Sequence, residues 1–265
     1  MTTFDSQYYD QIYFADPKGK EFHRPDGSVD QWGYRNPNGH WDGCIPIAMA
    51  WKSIFNLSGC NTDSGLCKSL DVGCGRGQFV TALRDVGVEG WGFDFSKWAI
   101  ENIYPRCQKG WCIEWDATDK RGFPYGDKAF DFVSALDIFE HLYVEDLDFV
   151  IDQIYRVSKR FVFLEIAISG SGGLQGQNGF QGYILKKDEQ VSVELEGIAV
   201  AGHVTVQNRD FWINKLLIGK DGEERNWKLR DDLVLEFIRI VPSIIIDNWT
   251  KNLIIILEKE KEKIN

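Results

Sequence analysis

The run Ser69-Leu70-Asp71-Val72-Gly73-Cys74-Gly75-Arg76-Gly77 joins an apolar strand ending in an acid to a turn with three glycines. With no Cβ atoms in the way, such a turn lets a ligand lie almost on the backbone. Phe79, Val80, Leu83 and Val86 fall at i, i+1, i+4 and i+7 and predict a helix straight after the turn. The open amides at its start face the same ligand. A second acid, Asp94, ends the apolar run 88–95 about 20 residues beyond the glycines, where a ribose presents its hydroxyls. One carboxylate can accept hydrogen bonds from both. Histidine is the natural proton acceptor near neutral pH. Of four histidines, His141 follows a predicted strand and His203 lies in a later insertion, whereas His23 and His40 belong to the N-terminal segment. Glu140 is placed to act as a base or to orient a neighbouring histidine.

A dinucleotide site is the rival reading of the glycine turn. It requires G-x-G-x-x-G, and position 78 is Gln. The pattern present is D-x-G-x-G-x-G. The elements that must hold these residues alternate along the chain. Ser96 offers an N-cap for a helix carrying Ala99, Ile100 and Ile103. A third strand over 111–115 leads to Asp116-Ala117, and a fourth over 130–136 leads to Asp137. Leu147, Val150, Ile151 and Ile154 mark an amphipathic helix, and 160–166 reads as a fifth strand. Strands alternating with helices predict a doubly wound α/β fold with a mostly parallel sheet. Ligands of such sheets bind beyond the C-terminal strand ends. Asp71, Asp94, Asp116 and Asp137 all fall at or near those ends.

The D-x-G-x-G-x-G loop, together with an acid after each of the next strands and the stretch Asp137-Ile138-Phe139-Glu140-His141-Leu142, resembles class I S-adenosylmethionine-dependent methyltransferases. The resemblance in fold runs from about residue 69 to 258, and its specific motifs are confined to 69–142. It implies a seven-stranded sheet whose last strand, 253–257 here, is antiparallel and inserted between the fifth and sixth. It implies S-adenosylmethionine as cofactor, held by Asp71, Gly73, Cys74, Gly75, Gly77, Asp94, Phe95, Asp116, Ala117 and Asp137, with Asp116 taking the adenine amino group. The cofactor carries a sulfonium and an ammonium but no phosphate, which suits a site lined by carboxylates. In-line methyl transfer needs alignment, exclusion of water and, for a hydroxyl acceptor, removal of a proton. His203, His141 and Glu140 are the candidate catalytic residues.

The acceptor is narrowed by absences. No Asn-Pro-Pro-Tyr or Asp-Pro-Pro-Tyr run and no Pro-Cys pair occurs, which turns the reading away from DNA. The expected acceptor is a hydroxyl of a small molecule, sugar or glycan. An RNA or protein methyltransferase and a non-catalytic S-adenosylmethionine-binding protein are the alternatives. The net charge of −10 over 265 residues argues against a broad nucleic-acid surface. The start lacks a secretory pattern and no 18-residue apolar run exists, so a cytoplasmic protein without a membrane span is expected. The six cysteines show no C-x2-C pair; reduced thiols and no metal site are expected, with the state of Cys60 and Cys67 left open. Oligomeric state is not legible.

Outside the sheet, residues 1–44 form an aromatic arm or lid without strand character, carrying Tyr8, Tyr9, Tyr13, Trp32, Tyr34 and Trp41. A helix over 45–55 opens the domain 45–265. Residues 169–206 read as a β-rich insertion on the substrate side: a six-glycine loop over 169–182, expected to close over the acceptor, and a hairpin over 191–206 around Glu196-Gly197. Asn208 caps a helix holding Phe211, Trp212, Leu216 and Leu217, and 233–246 is a partly buried element broken at Pro242.

Overall fold

The computed structural model describes residues 4–32, 41–57, 59, 67–169, 182–187, 189, 201–242 and 253–260. The Asp10 carboxylate caps α1 (Gln11–Ala15) by accepting the N–H groups of Ile12 and Tyr13. The arm then forms an antiparallel hairpin, β1 (Lys20–His23) with β2 (Val29–Trp32). This corrects the expectation of an arm without strands. Both strands are short and largely polar, and their register is fixed across the turn by Arg24 Nε donating to Asp30 at 2.6 Å rather than by an apolar alternation. Helix α2 (Trp41–Leu57) starts four residues earlier than its apolar face suggested.

From there strands and helices alternate: β3 (Lys68–Val72), α3 (Gln78–Asp85), β4 (Glu89–Asp94), α4 (Lys97–Glu101), β5 (Cys112–Glu114) and β6 (Phe130–Leu136). A single 3-10 turn, Phe139–His141, precedes α5 (Val144–Val157) and β7 (Ser158–Ile166). The chain continues through β8 (Tyr183–Ile184), β9 (Thr205–Val206), α6 (Arg209–Leu217), β10 (Trp227–Leu229), α7 (Asp231–Ile240) and β11 (Leu253–Lys259). Seven strands form one sheet in the order β10-β11-β7-β6-β3-β4-β5. The pairs within β5-β4-β3-β6-β7 are parallel, and β11 runs antiparallel to both β7 and β10. The last strand thus sits between the fifth and sixth strands of the sheet, as expected.

Period-two alternation divides the core into two layers. Phe161 and Phe163 of β7 face Trp51, Ile54 and Phe55 of α2, Phe79 and Leu83 of α3, and Phe237 of α7. Val162 and Leu164 face the opposite layer, with Leu147, Val150, Ile151 and Ile154 of α5 and Trp212 of α6. Helices therefore cover both faces, which leaves the row of loops at the C-terminal strand ends as the place for a ligand. β8 and β9 pair antiparallel beside this row. The glycine loop and the Glu196-Gly197 hairpin fall mostly on 170–181 and 190–200, outside the described residues; within them, residues 205–206 pair with 183–184. Of the segment 233–246, the part up to Ile240 is helical and 243–246 lies outside the described residues.

Phe55 is the side chain that most directly fixes α2 to the sheet. Its ring stacks on Phe132 at 3.5 Å between centroids and lies 5.8 Å from Phe161. Truncation to Ala leaves a cavity that neither layer can close, so Phe55→Ala is expected to cost about 3–5 kcal/mol of stability. Urea unfolding measures it; a loss below about 1 kcal/mol would show that α2 is held elsewhere.

Candidate active site

The glycine loop follows β3 directly, and Gly73, Gly75 and Gly77 all have positive φ. At Gly77 (φ 78°) a Cβ would also stand 2.7 Å from Cys107 Sγ and 2.8 Å from Cys112 Sγ, so the position is closed to larger residues on two grounds. The loop is clamped from the next strand. Asp94, ending β4, accepts Gly75 N–H on Oδ2 and Ser96 N–H on Oδ1, each at 2.8 Å. Burial nevertheless pushes the Asp94 carboxyl up to about 6, against the lowering effect of those two N–H groups. Asp71 is buried inside β3, where it accepts Ser134 Oγ at 2.7 Å, and burial pushes it up to about 7. Cys74 is buried within the loop. Phe95 packs on Tyr9 at 5.0 Å. Asp116 is exposed beyond β5; its Oδ1 accepts Thr118 N–H and Oγ1–H at 2.7 and 2.8 Å, and Ala117 beside it is half-buried.

A second group of side chains gathers past the end of β6. Asp137 leaves the strand at φ 53°, a conformation that Asp tolerates better than most residues. Glu140 is fully buried in the 3-10 turn. Its Oε1 accepts Ala167 N–H at 2.9 Å, just past β7, and its backbone carbonyl accepts Val204 N–H at 2.7 Å. Thr205 Oγ1 donates to the Leu142 carbonyl at 2.7 Å, so two bonds fasten segment 201–206 to this turn. His203 is thereby laid against His141, with ring centroids 4.7 Å apart at 83°. Glu140, His141 and His203 each bring a nitrogen or carboxylate oxygen within 4.8 Å of the others. Burial holds the His141 imidazole down to about 4. Burial first, and His141 second, holds His203 well below its ordinary value. Glu140 is driven up by burial and then by the charge of Asp137.

The arm closes over both groups. Tyr9 places its hydroxyl 3.0 Å from His141 Nδ1 and donates toward the Gly202 carbonyl at 3.4 Å, while its own carbonyl accepts Ser96 Oγ–H. A Cβ at Gly202 (φ 83°) would collide with that hydroxyl. Tyr13 Oη donates to the Ala201 carbonyl, and Phe14 stacks on Trp98 of α4. His23 sits on β1, 3.3 Å from Glu21, away from this cluster; His40 lies outside the described residues.

The sequence candidates thus fall into two sets. Asp71, the glycines, Cys74, Asp94 and Phe95 surround the β3–β4 ends, with Asp116 and Ala117 one strand further out. Asp137, Glu140, His141 and His203 gather beyond β6. Tyr9, read from the sequence only as one aromatic of the arm, joins the two; its contact with His141 was not legible, because 132 residues separate them and no local period reports it. Ser134 was missed for the same reason: only the β3–β6 pairing puts it beside Asp71. Cys44, Cys74, Cys107 and Cys112 are unbridged thiols, with the last pair 3.7 Å apart, Cys67 is buried, and Cys60 lies outside the described residues. Among the described residues no helix is long and apolar enough to cross a membrane.

A methyltransferase-domain family matches residues 70–160. Among solved structures, the chain is similar to the plantazolicin methyltransferase BpumL in complex with a triazolic desmethylPZN analog and SAH, at 16% identity and a TM-score of 0.52, covering 84% of this chain and 89% of that one. A SAM dependent methyltransferase from Archaeoglobus fulgidus matches at 18% identity and a TM-score of 0.46, over 80% and 94%. The PH0226 protein from Pyrococcus horikoshii OT3 matches at 26% identity and a TM-score of 0.35, over 45% of this chain and 54% of that one. The matched segment spans the glycine loop, β4, β5, β6 and the Glu140-His141 turn, so residues 70–160 are similar to a methyltransferase domain, and they sit in a sheet with the strand order of the class I methyltransferase fold.

Proposed function

We propose that the enzyme transfers a methyl group from S-adenosylmethionine to a hydroxyl of a small molecule, sugar or glycan. In this reading the glycine loop and Asp94 hold the ribose, Asp116 takes the adenine amino group, and Asp71 and Asp137 add negative charge near the sulfonium and ammonium. The observation that carries the proposal is Tyr9, which touches the Asp94–Ser96 corner through its carbonyl and the His141–Gly202 corner through its hydroxyl. One residue spans the two sets, so a donor at the first and an acceptor at the second would be held in a single water-poor chamber. Glu140, His141 and His203 face the acceptor side. Both imidazoles are kept neutral by burial, which leaves each with a free ring lone pair but makes each a weak base.

The acceptor class is tested by incubating the protein with methyl-labelled S-adenosylmethionine and fractionated cell extract. Label is expected in the small-molecule or glycan fraction, bonded to oxygen. Label confined to RNA or protein would overturn the acceptor assignment, and absence of S-adenosylhomocysteine release with intact cofactor binding would favour a non-catalytic binding protein.

The cofactor assignment yields a pH dependence. A protonated Asp94 loses an acceptor site for the ribose hydroxyls, so binding must release the proton that burial retains on the free protein. With the free carboxyl near 6, affinity is expected to rise on the order of tenfold between pH 5 and pH 7. The effect on the ligand-free fold has the opposite sign. Carboxyls raised to about 6 and about 7 contribute stability below the unfolded value near 3.8, and that contribution is lost as pH rises through 6–7. Asp94→Asn should flatten the affinity profile and weaken binding at pH 7 by about 1.5–3 kcal/mol, the worth of a hydrogen bond to a charged group. Calorimetry at several pH values, with thermal unfolding in parallel, decides it; an unchanged affinity in a folded Asp94→Asn protein would remove Asp94 from the site.

A further inference from the structure

Glu140 carries a buried oxygen with no cationic partner. Oε1 is satisfied by Ala167 N–H, whereas Oε2 is buried with no N–H donor and has the Asp137 carboxyl as its polar neighbour. Buried carboxylate oxygens are normally paired with a donor, a cation or a metal. No Lys or Arg forms an ion pair with Glu140 among the described residues. The groups around it are Asp137 and His141 from its own turn, His203 from the strapped segment 201–206, and the phenols of Tyr9 and Tyr13 from the arm, with the Trp32 ring 6.0 Å from His203. These groups are acidic or neutral, and none supplies a positive charge.

We propose that Glu140, His141 and His203 bind one divalent transition-metal cation, and that this ion holds the acceptor hydroxyl for methyl transfer. The second half rests on the oxygen-acceptor reading above; the first half does not. One carboxylate and two imidazoles are a donor set for Mn²⁺, Co²⁺, Fe²⁺ or Zn²⁺ that leaves coordination positions open. Ligand atoms about 2.0–2.2 Å from one ion in tetrahedral array stand about 3.3–3.6 Å apart. The three ligand atoms lie within 4.8 Å of one another, so binding draws them together by about 1 Å.

Tyr9 supplies the supporting contact that metal-bound histidines require. With its hydroxyl donating to the Gly202 carbonyl, it accepts the Nδ1 proton of His141. Nε2 is then the lone-pair nitrogen offered to the ion. The bonds from Val204 N–H to the Glu140 carbonyl and from Thr205 Oγ1 to the Leu142 carbonyl hold His203 at a fixed approach to Glu140, although 63 residues separate them. When bound, the ion acidifies a coordinated hydroxyl as it does water. The acceptor O–H then gives its proton to bulk water. The oxygen lone pair forms the new C–O bond as the methyl C–S bond breaks, and that bond's electron pair returns to sulfur. The ion is left unchanged.

The test reads metal binding directly. Protein stripped with a chelator is titrated with Mn²⁺, and free Mn²⁺ is followed by its paramagnetic resonance signal; Mn²⁺ is chosen because the thiols of Cys74, Cys107 and Cys112 prefer softer ions. Wild type should bind one equivalent per chain. Glu140→Gln and His203→Ala should each weaken binding by more than the roughly 10–100-fold that loss of a supporting partner costs, and Tyr9→Phe should fall within that range. His23→Ala, on β1, should bind as wild type does. S-adenosylmethionine affinity identifies variants that remain folded, and the wild-type stoichiometry stands even where a variant does not. No stoichiometric binding to wild type, or equal binding by folded Glu140→Gln and His203→Ala, overturns the site. Full turnover of a hydroxyl acceptor by the chelated enzyme overturns the ion's part in transfer. Label on RNA, on protein or on nitrogen would instead overturn the acceptor reading, with Mn²⁺ binding unaffected.

Discussion

Glu140 sits where three parts of the chain must meet, and its burial is the constraint on which the polar cluster beyond β6 depends. Its side chain holds the first residue past β7, its carbonyl holds segment 201–206, and its own turn carries His141. Taking a carboxylate out of water is costly, and an unpaired one shifts its pKa or finds a counter-charge. The fold tolerates this one because parallel β6 and β7 deliver the turn and Ala167 to the same place, in a register set by the large apolar core beneath. The hydrophobic layers thus provide the stability, and the polar end of the sheet uses some of it to keep an acid dry.

The corner at the ends of β3 and β4 is organised on the same plan with different parts. Asp94 fastens the glycine loop after β3 to the Ser96 cap of α4, so the end of one strand rigidifies the ligand loop of its neighbour. The arm then covers both corners. Tyr9, Tyr13 and Phe14 are buried, and they make edge and stacked contacts with Phe95, Trp98 and His141 instead of joining either sheet layer. Aromatic side chains with polar tips are suited to such a cover, because they bury large area on the loops while a hydroxyl reaches a specific acceptor.

What could be read from the sequence divides along the same line. The strand-helix alternation, the glycine loop and the position of Asp94 are local patterns, with periods of 2.0 and 3.6 or spacings of a few residues, and each was legible, whereas the placement of the last strand came only from the family resemblance. The hairpin at 20–32 was not, because its strands are short, polar and pinned by Arg24 and Asp30. The grouping of Glu140, His141 and His203 was half legible. All three were candidates for proton transfer, and the absence of a C-x2-C spacing gave no reason to expect a metal. Their meeting depends on the Val204–Glu140 backbone bond, a contact between segments with no shared period. The contact of Tyr9 with His141 and that of Ser134 with Asp71 escaped for that reason too.

Asp71, Asp94 and Glu140 are buried at one end of the sheet, and none forms an ion pair among the described residues. Elsewhere the chain pairs its buried or half-buried acids freely: Asp146 with Lys120 and Lys187, Asp148 with Lys215 and Arg225, Glu258 with Arg160 and Arg230. The contrast lies in placement. Paired acids line the α5 surface and the β10–β11 edge, where partners lock structure, and unpaired ones surround the ligand loops. Burial favours the protonated form of these carboxyls in the empty site, and a cationic ligand favours the ionised form. A sulfonium and an ammonium at the β3–β4 corner would relieve Asp71 and Asp94, as a cation would Glu140. A cation entering the site then exchanges with protons, and no basic side chain has to be displaced on binding.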